Sequence, residues 1–214
     1  MPLYIPFSRQ QLGTWRGGQV HEIFRDPPEA DYPNGAYRLW VGTATIERAA
    51  DYSHFAHAER LHILLHGGGL ALHFREPTET FPLATGNWRI FAGDRPLHAV
   101  PIDGPVFAFN LIYRQAQRSG AESGAAFVGA GEMPIALPVS VAAGASQTQI
   151  VYALAGQAAV ECQGEIHLLQ TGDTLVFQLN GPASDTLRLT TNDPEARLLV
   201  AHVLAPPVYS TTSA

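Results

Sequence analysis

Nowhere in the chain do twelve or more residues keep a helical hydrophobic period with caps, and that excludes more folds than any other feature of the sequence. What recurs instead is a short run, alternating or rich in β-branched residues and bounded by Gly, Pro, Asn or Asp. VHEIFR, AYRLWVGTATI, LHILL, LALHF, VFAFNLIY, QIVYALAG, DTLVF and TLRLTT are such runs. The nearest approach to a helix, DYSHFAHAERL, aligns Phe55, Ala58 and Leu61, but a loop running into a strand accounts for it equally well. The expected fold class is all-β.

With 214 residues the chain has room for one large β domain or two small ones around a real core. Apolar residues make up 46% and charged residues 15%, the balance of a compact protein and not of a disordered one. A formal charge of -6 argues against a nucleic-acid partner, which needs a basic footprint. No apolar run approaches the roughly 20 residues of a membrane span. The start, MPLYIPFSRQQ, lacks the charged and then long apolar segments of a secretory signal. The single cysteine, Cys162, excludes an intrachain disulfide and a thiolate zinc cluster, and fits a cytoplasmic location.

A polar stretch with Gly and Ser, RQAQRSGAESGAA at residues 114 to 126, separates two apolar blocks. The blocks echo one another. LHILLHGGGLALHF is followed by FAGDRPLHAV, and IVYALAGQAAVECQG by LLQTGDTLVFQL, so that Gly67 corresponds to Gly156 and Gly93-Asp94 to Gly172-Asp173. Each block reads as a strand ending in Leu-x-Gly, a hairpin, and a Gly-Asp turn feeding another strand, which points to an internal duplication. This layout resembles the cupin superfamily, with two small β-barrels in one chain: an N-terminal barrel over residues 1–115 holding the ligand pocket, and a C-terminal cupin-like barrel over 116–214. Closure into barrels also removes exposed sheet edges.

The resemblance implies a test for metal. A metallocupin carries His-x-His, then a Glu, a glycine seven residues past that Glu, and a further His from the second motif, so that imidazoles and a carboxylate converge on one ion. Seven before Gly67 is Arg60, the His-x-His positions are His54 and Ala56, and Phe107 stands near the place of the last histidine. A guanidinium repels a divalent cation and cannot be deprotonated to bind it. In the second barrel Gln149 takes the glutamate's place. No metal and no cofactor are therefore expected. His54 with His57, or His62 with His66, remain as adventitious metal pairs, the blander reading being pocket or surface histidines.

If Arg60 points inward, the ion site has become a fixed positive charge that needs an anionic partner: Glu22 of the protein, or a ligand carboxylate. Bidentate geometry suits a small organic acid. The plainer alternative is an Arg at the barrel rim, paired with Glu59 or Asp94. Strand parity puts Arg38 with Trp40 on one face and Asn110 with Arg114 on another, so these four are candidates for the same pocket, although Trp15 and Trp40 also suit ordinary core positions. A nucleophile reading fails: there is no Gly-x-Ser-x-Gly, Cys162 has His167 near it in sequence only, and HGGGL is most simply a tight β-turn.

Within the cupins, three stretches resemble the HutD/Ves family: WRGGQVHEI at Trp15 to Ile23, YSHFAHAERLHILLHG at Tyr52 to Gly67, and GPVFAFNLIYR at Gly104 to Arg114. The family residues that carry over by position are Trp15, Arg16, Glu22, Ser53, Phe55, Arg60, Asn110 and Arg114. Three departures stand out. The opening turn is about two residues short, Trp40 and Gly42 stand where the family has Arg and Ser, and Ala108 replaces an aspartate. What the resemblance implies is a metal-free, non-enzymatic bicupin that binds a small acid, such as urocanate or formylglutamate from histidine breakdown. The alternative is a cupin enzyme, either metal-dependent with unusual His ligands or a metal-free isomerase using Glu22 or His54 as base. A homodimer is compatible with a small β-barrel chain.

Overall fold

The computed structural model describes residues 1–31, 37–114, 123–140, 146–180 and 184–203. Its strands, in chain order, are β1 Leu3–Ile5, β2 Gln11–Trp15, β3 Gly18–Asp26, β4 Leu39–Ile46, β5 Ala50–Asp51, β6 Glu59–His66, β7 Gly69–Arg75, β8 Thr78–Leu83, β9 Trp88–Ala92, β10 Leu97–Ile102 and β11 Val106–Tyr113. They continue with β12 Gly124–Gly129, β13 Ile135–Ser140, β14 Ser146–Ala155, β15 Gln157–Cys162, β16 Glu165–Gln170, β17 Thr174–Asn180, β18 Ser184–Thr190 and β19 Arg197–Val203. The only helical pieces among the described residues are two three-residue 3-10 turns, so the protein is all-β. The stretch DYSHFAHAERL is a loop running into β6.

The chain divides into two compact units, Gln10–Gln115 and Met1–Arg9 with Ala116–Ala214. Of the polar stretch between the blocks, residues 115–122 lie outside the described residues. The first nine residues, placed by sequence with the N-terminal barrel, group instead with the C-terminal one. The reason is local: β1 pairs antiparallel with β17, Leu3 facing Val176. Asp173 fastens it, accepting the Tyr4 hydroxyl at 2.7 Å, the Phe7 N–H at 2.9 Å and the Gln170 N–H at 3.0 Å.

Each unit is a cupin-type barrel of two sheets. The first has the orders β2-β3-β4-β11-β6-β9 and β5-β10-β7-β8, the second β1-β17-β14-β19-β12 and β13-β18-β15-β16. Placing β12 over β4, and so on along the chain, superimposes β4-β11-β6-β9 on β12-β19-β14-β17 and the two smaller sheets on one another. The duplication legible as two echoes of sequence therefore extends strand for strand.

One expectation is corrected here. LHILLHGGGLALHF does not form a hairpin, because β6 and β7 belong to different sheets. Its glycines turn a corner from one sheet to the other, and the hairpin is β7 with β8. Gly67 takes φ 120° there, and a Cβ on it would meet Val106 Cγ1 at 2.6 Å. Gly156 turns the matching corner at φ 67°. Neither place admits a side chain without strain.

The interiors differ. The second barrel is filled by Val151, Val160, Leu169, Leu175, Phe177, Leu187, Leu189 and Leu198, with Cys162 among them. Among the described residues of the first, one apolar cluster gathers around Leu64, Leu72, Phe74, Phe91 and Val106 and another joins Tyr37, Trp40, Phe55, Ala58 and Ile112. Arg60, His62 and Asn110 are buried polar residues of this same barrel.

Candidate functional site

Strand β6 loses its simple alternation because Leu61, Ile63 and Leu64 are all fully buried, so both of its faces are covered. Arg60, His62 and Leu64 share one face, and Leu64 belongs to the barrel core. In register, His62 faces Asn110 of β11, and Arg60 lies between Ile112 of β11 and Phe91 of β9. Ladder geometry thus brings a cation, an imidazole and an amide to one place inside the barrel.

Their contacts fix one another. Arg60 Nε and Nη2 donate to Asn110 Oδ1 at 3.0 and 2.8 Å, and His62 Nδ1 lies 2.6 Å from the same oxygen. Because a guanidinium only donates, the amide oxygen and not its nitrogen must face it. His62 Nδ1 then carries the proton, leaving Nε2 to accept from the Tyr52 hydroxyl at 3.3 Å. Burial, reinforced by the Arg60 charge and opposed by the Asn110 hydrogen bond, pushes His62 down to about 3, so the ring is neutral at ordinary pH. Burial also raises the Tyr52 phenol well above its usual range, with Arg60 opposing. The Arg60 guanidinium carbon stands 4.2 Å from the Tyr52 ring centre, within cation–π range.

These groups line a cavity with Trp15, Val20, Trp40, Ala44, Ile46, Ser53, Phe55 and Ile112. The enclosed space is small, with room for a water or a very small solute. Trp15 meets Tyr52 edge-on, the ring centres 5.4 Å apart.

Of the candidate residues read from sequence, Trp15, Trp40, Ser53, Phe55, Arg60 and Asn110 meet at this cavity, and Glu22, Arg16, Arg38 and Arg114 are not among its lining. Glu22 stands one layer behind. Its Oε2 accepts the Trp40 indole N–H at 2.7 Å and its Oε1 pairs with Arg25 at 3.0 Å. Arg38 forks onto Asp26 at 2.7 and 3.0 Å. The Arg114 guanidinium lies 5.6 Å from the Tyr37 ring centre, and Arg16 is exposed. Arg38 precedes β4 and Arg114 follows β11, so the strand parity that placed them no longer applies. Arg60 itself is 9% exposed, inside the barrel and not at its rim.

Sequence reasoning did not pick out Tyr52 or His62 as members of the site. His62 was accessible in principle, being two residues from Arg60 on one strand. Tyr52 sits in an irregular segment where no period applies. His54, His57 and His66 are exposed, and both ring nitrogens of His62 are engaged within the protein. Among the described residues no three His, Cys, Asp or Glu side chains come together as a metal site. The donor set at the cavity centres on a guanidinium where a metallocupin places a carboxylate, and such a set does not fit a divalent ion. Gln149, the corresponding residue of the second barrel, shares parity with the core residues Val151 and Ala153 and bonds to Gln147. Cys162 is buried, its thiol pushed up to about 12 chiefly by desolvation, so it is no nucleophile.

Two barrels of this topology define a cupin-type protein. The sequence model of the HutD family matches residues 8–198, and the chain belongs to that family. Among solved structures it is similar to a conserved protein of unknown function from Pseudomonas aeruginosa, at 24% identity and a TM-score of 0.76, covering 96% of this chain and 100% of that one. HutD from Pseudomonas fluorescens follows at 21% and 0.68, covering 97% and 100%. Oxalate decarboxylase from Lactobacillus farciminis, solved as a formate complex, shares 10% identity at a TM-score of 0.61, covering 96% and 86%. At these identities the likeness speaks for the fold. No curated protein sequence matches the chain. No helix among the described residues is long and apolar enough to cross a membrane.

Proposed function

We propose that the first barrel is a metal-free binding site for a small carboxylate metabolite, anchored by Arg60. One observation carries this reading: a guanidinium lines an interior cavity, its plane held by two hydrogen bonds to Asn110 and by the Tyr52 ring. Such a group offers a carboxylate paired, charge-assisted hydrogen bonds, and the attraction is stronger inside a barrel than in bulk water. A His62 that stays neutral down to about pH 3 is a poor base, which favours binding over proton-transfer chemistry. Membership of the HutD family supports a cytoplasmic role in histidine utilisation or its regulation. Formate and acetate match the small space and are the first acids to try, with urocanate and formylglutamate as larger probes that need the indoles to move aside.

Calorimetry on wild type, Arg60→Ala and Arg60→Lys tests the reading, with circular dichroism to confirm folding. Loss of a charge-assisted contact of about 1.5–3 kcal/mol corresponds to roughly 10- to 150-fold weaker binding in Arg60→Ala. Equal affinities in wild type and Arg60→Ala would remove Arg60 from the site. Protein purified without a histidine tag should contain far less than one metal per chain. Near-stoichiometric iron, manganese or zinc by elemental analysis would refute the metal-free assignment.

A further inference from the structure

The two smaller sheets have four edge strands, β5 and β8 in the first barrel and β13 and β16 in the second. Three of them are guarded against a stray strand. β5 is two residues long, β8 carries Pro82 and β13 carries Pro138, and a short strand or one with proline offers little to pair with. β16 has neither device, and among the described residues nothing pairs with its outer side. Its Ile166 and Leu168 are 69% and 63% exposed.

The turn before β16 decides which backbone groups face outward. Gln163 and Gly164 join it to β15 with φ values of 50° and 77°, the positive pair of a type I′ turn. Cys162 and Glu165, which flank that turn, then form a hydrogen-bonded pair. Alternation turns the N–H and C=O groups of Ile166, Leu168 and Gln170 away from β15, to the open side. The duplication supplies an internal comparison. Leu83 faces Leu70 as Leu169 faces Ala158, all four buried, so Thr80 stands at the place of Ile166 and Pro82 at that of Leu168. Proline thus deletes in the first barrel the N–H that Leu168 presents in the second.

We propose that β16 is a docking edge for a second copy of this chain, the two β16 strands pairing antiparallel about a two-fold axis at His167. In that register Ile166 faces Leu168 of the partner subunit, and Leu168 faces Ile166 of the partner subunit. Each facing pair exchanges two backbone hydrogen bonds and covers two exposed apolar side chains. Glu165 faces Leu169 of the partner subunit, so no like charges oppose. The strand is its own complement in this register alone, since centring it on Leu168 would set Ile166 against a glutamine. The contact is isologous and closes at two chains.

The test is sedimentation velocity on the full chain over a concentration series, with wild type, Leu168→Pro and Ile166→Lys. A six-residue edge makes a small interface, so wild type is expected to pass from monomer to dimer in the micromolar range. Leu168→Pro removes one backbone donor from each copy and is expected to weaken the dimer about 30-fold or more. Ile166→Lys sets a lysine on each edge and is expected to leave monomer across the series. Under mild oxidation His167→Cys is expected to cross-link two copies and Leu168→Cys is not, Cys162 being buried. Wild type that stays monomeric overturns the proposal, as does growth beyond two chains or a dimer that survives both edge variants. Cross-linking through Leu168→Cys and not through His167→Cys overturns the register. Should Leu168→Pro not fold, Ile166→Lys decides, because that side chain faces solvent.

Discussion

Asn110→Leu separates the internal wiring of the site from its ligand. The Asn110 Oδ1 atom takes Arg60 Nε at 3.0 Å, Arg60 Nη2 at 2.8 Å and His62 Nδ1 at 2.6 Å. Leucine keeps the branched outline of the side chain but is bulkier than the amide, so some overpacking adds to the main effect, which is that three buried donors lose their acceptor. A hydrogen bond to a charged group is worth about 1.5–3 kcal/mol and a neutral one about 1 kcal/mol, and donors left buried without a partner cost on that scale. The expected loss is about 4–7 kcal/mol, or roughly 10–20 °C in melting temperature for a chain of this size. The double variant Arg60→Met/Asn110→Leu removes the stranded cation and should recover about 2 kcal/mol of that loss, because replacing both members of a buried polar pair is much milder than removing one. Thermal and urea unfolding of the wild type, both singles and the double give the coupling directly. An Asn110→Leu protein melting within about 3 °C of wild type, or strictly additive single losses, would refute the claim that Arg60 is held by Asn110.

Three further outcomes are expected. His62 has its folded value depressed to about 3 from an ordinary 6.5, so the unfolded chain binds the proton first and stability falls as pH drops below about 6.5 towards 3. Between pH 7 and 5 this contributes a loss of about 2 kcal/mol, which urea titrations should show in wild type and not in His62→Gln. Gly42→Ala would put a Cβ 2.2 Å from Trp40 Cη2 and 2.7 Å from the His21 carbonyl oxygen, and should destabilise by about 1–3 kcal/mol in thermal melts. Asp173→Ala removes the acceptor of Tyr4, Phe7 and Gln170, so limited proteolysis should clip the first nine residues faster than in wild type while the rest of the chain persists.

The all-β class and the duplicated layout were legible because turn residues and short apolar runs report local backbone preferences directly. The glycines of HGGGL showed less. They announce a turn, but whether its flanking strands pair with each other or join different sheets depends on partners far away in sequence, β10 for β7 and β11 for β6. The site followed the same rule. Counting seven residues back from Gly67 located Arg60, a position on a regular strand, whereas Arg38 and Arg114 were misplaced by extending parity past the strand ends. Tyr52 had no periodic signal to betray it. Trp40 and Gly42 looked like two separate departures from the resembling family, yet they are one: the indole lies where a side chain at 42 would stand. Such couplings are volumetric, and a one-dimensional pattern does not record volume.

The three residues of β1 give the polypeptide a thread that begins in one barrel, leaves to build the other, and returns to finish the first. A single cut after residue 115 would therefore release no complete pair of modules, since one piece would carry off a strand that the other needs to close its ladder. The middle segment, Gln10–Gln115, is the piece to express alone. The remainder would have to be rejoined head to tail, or given residues 1–9 as a separate peptide that docks beside β17.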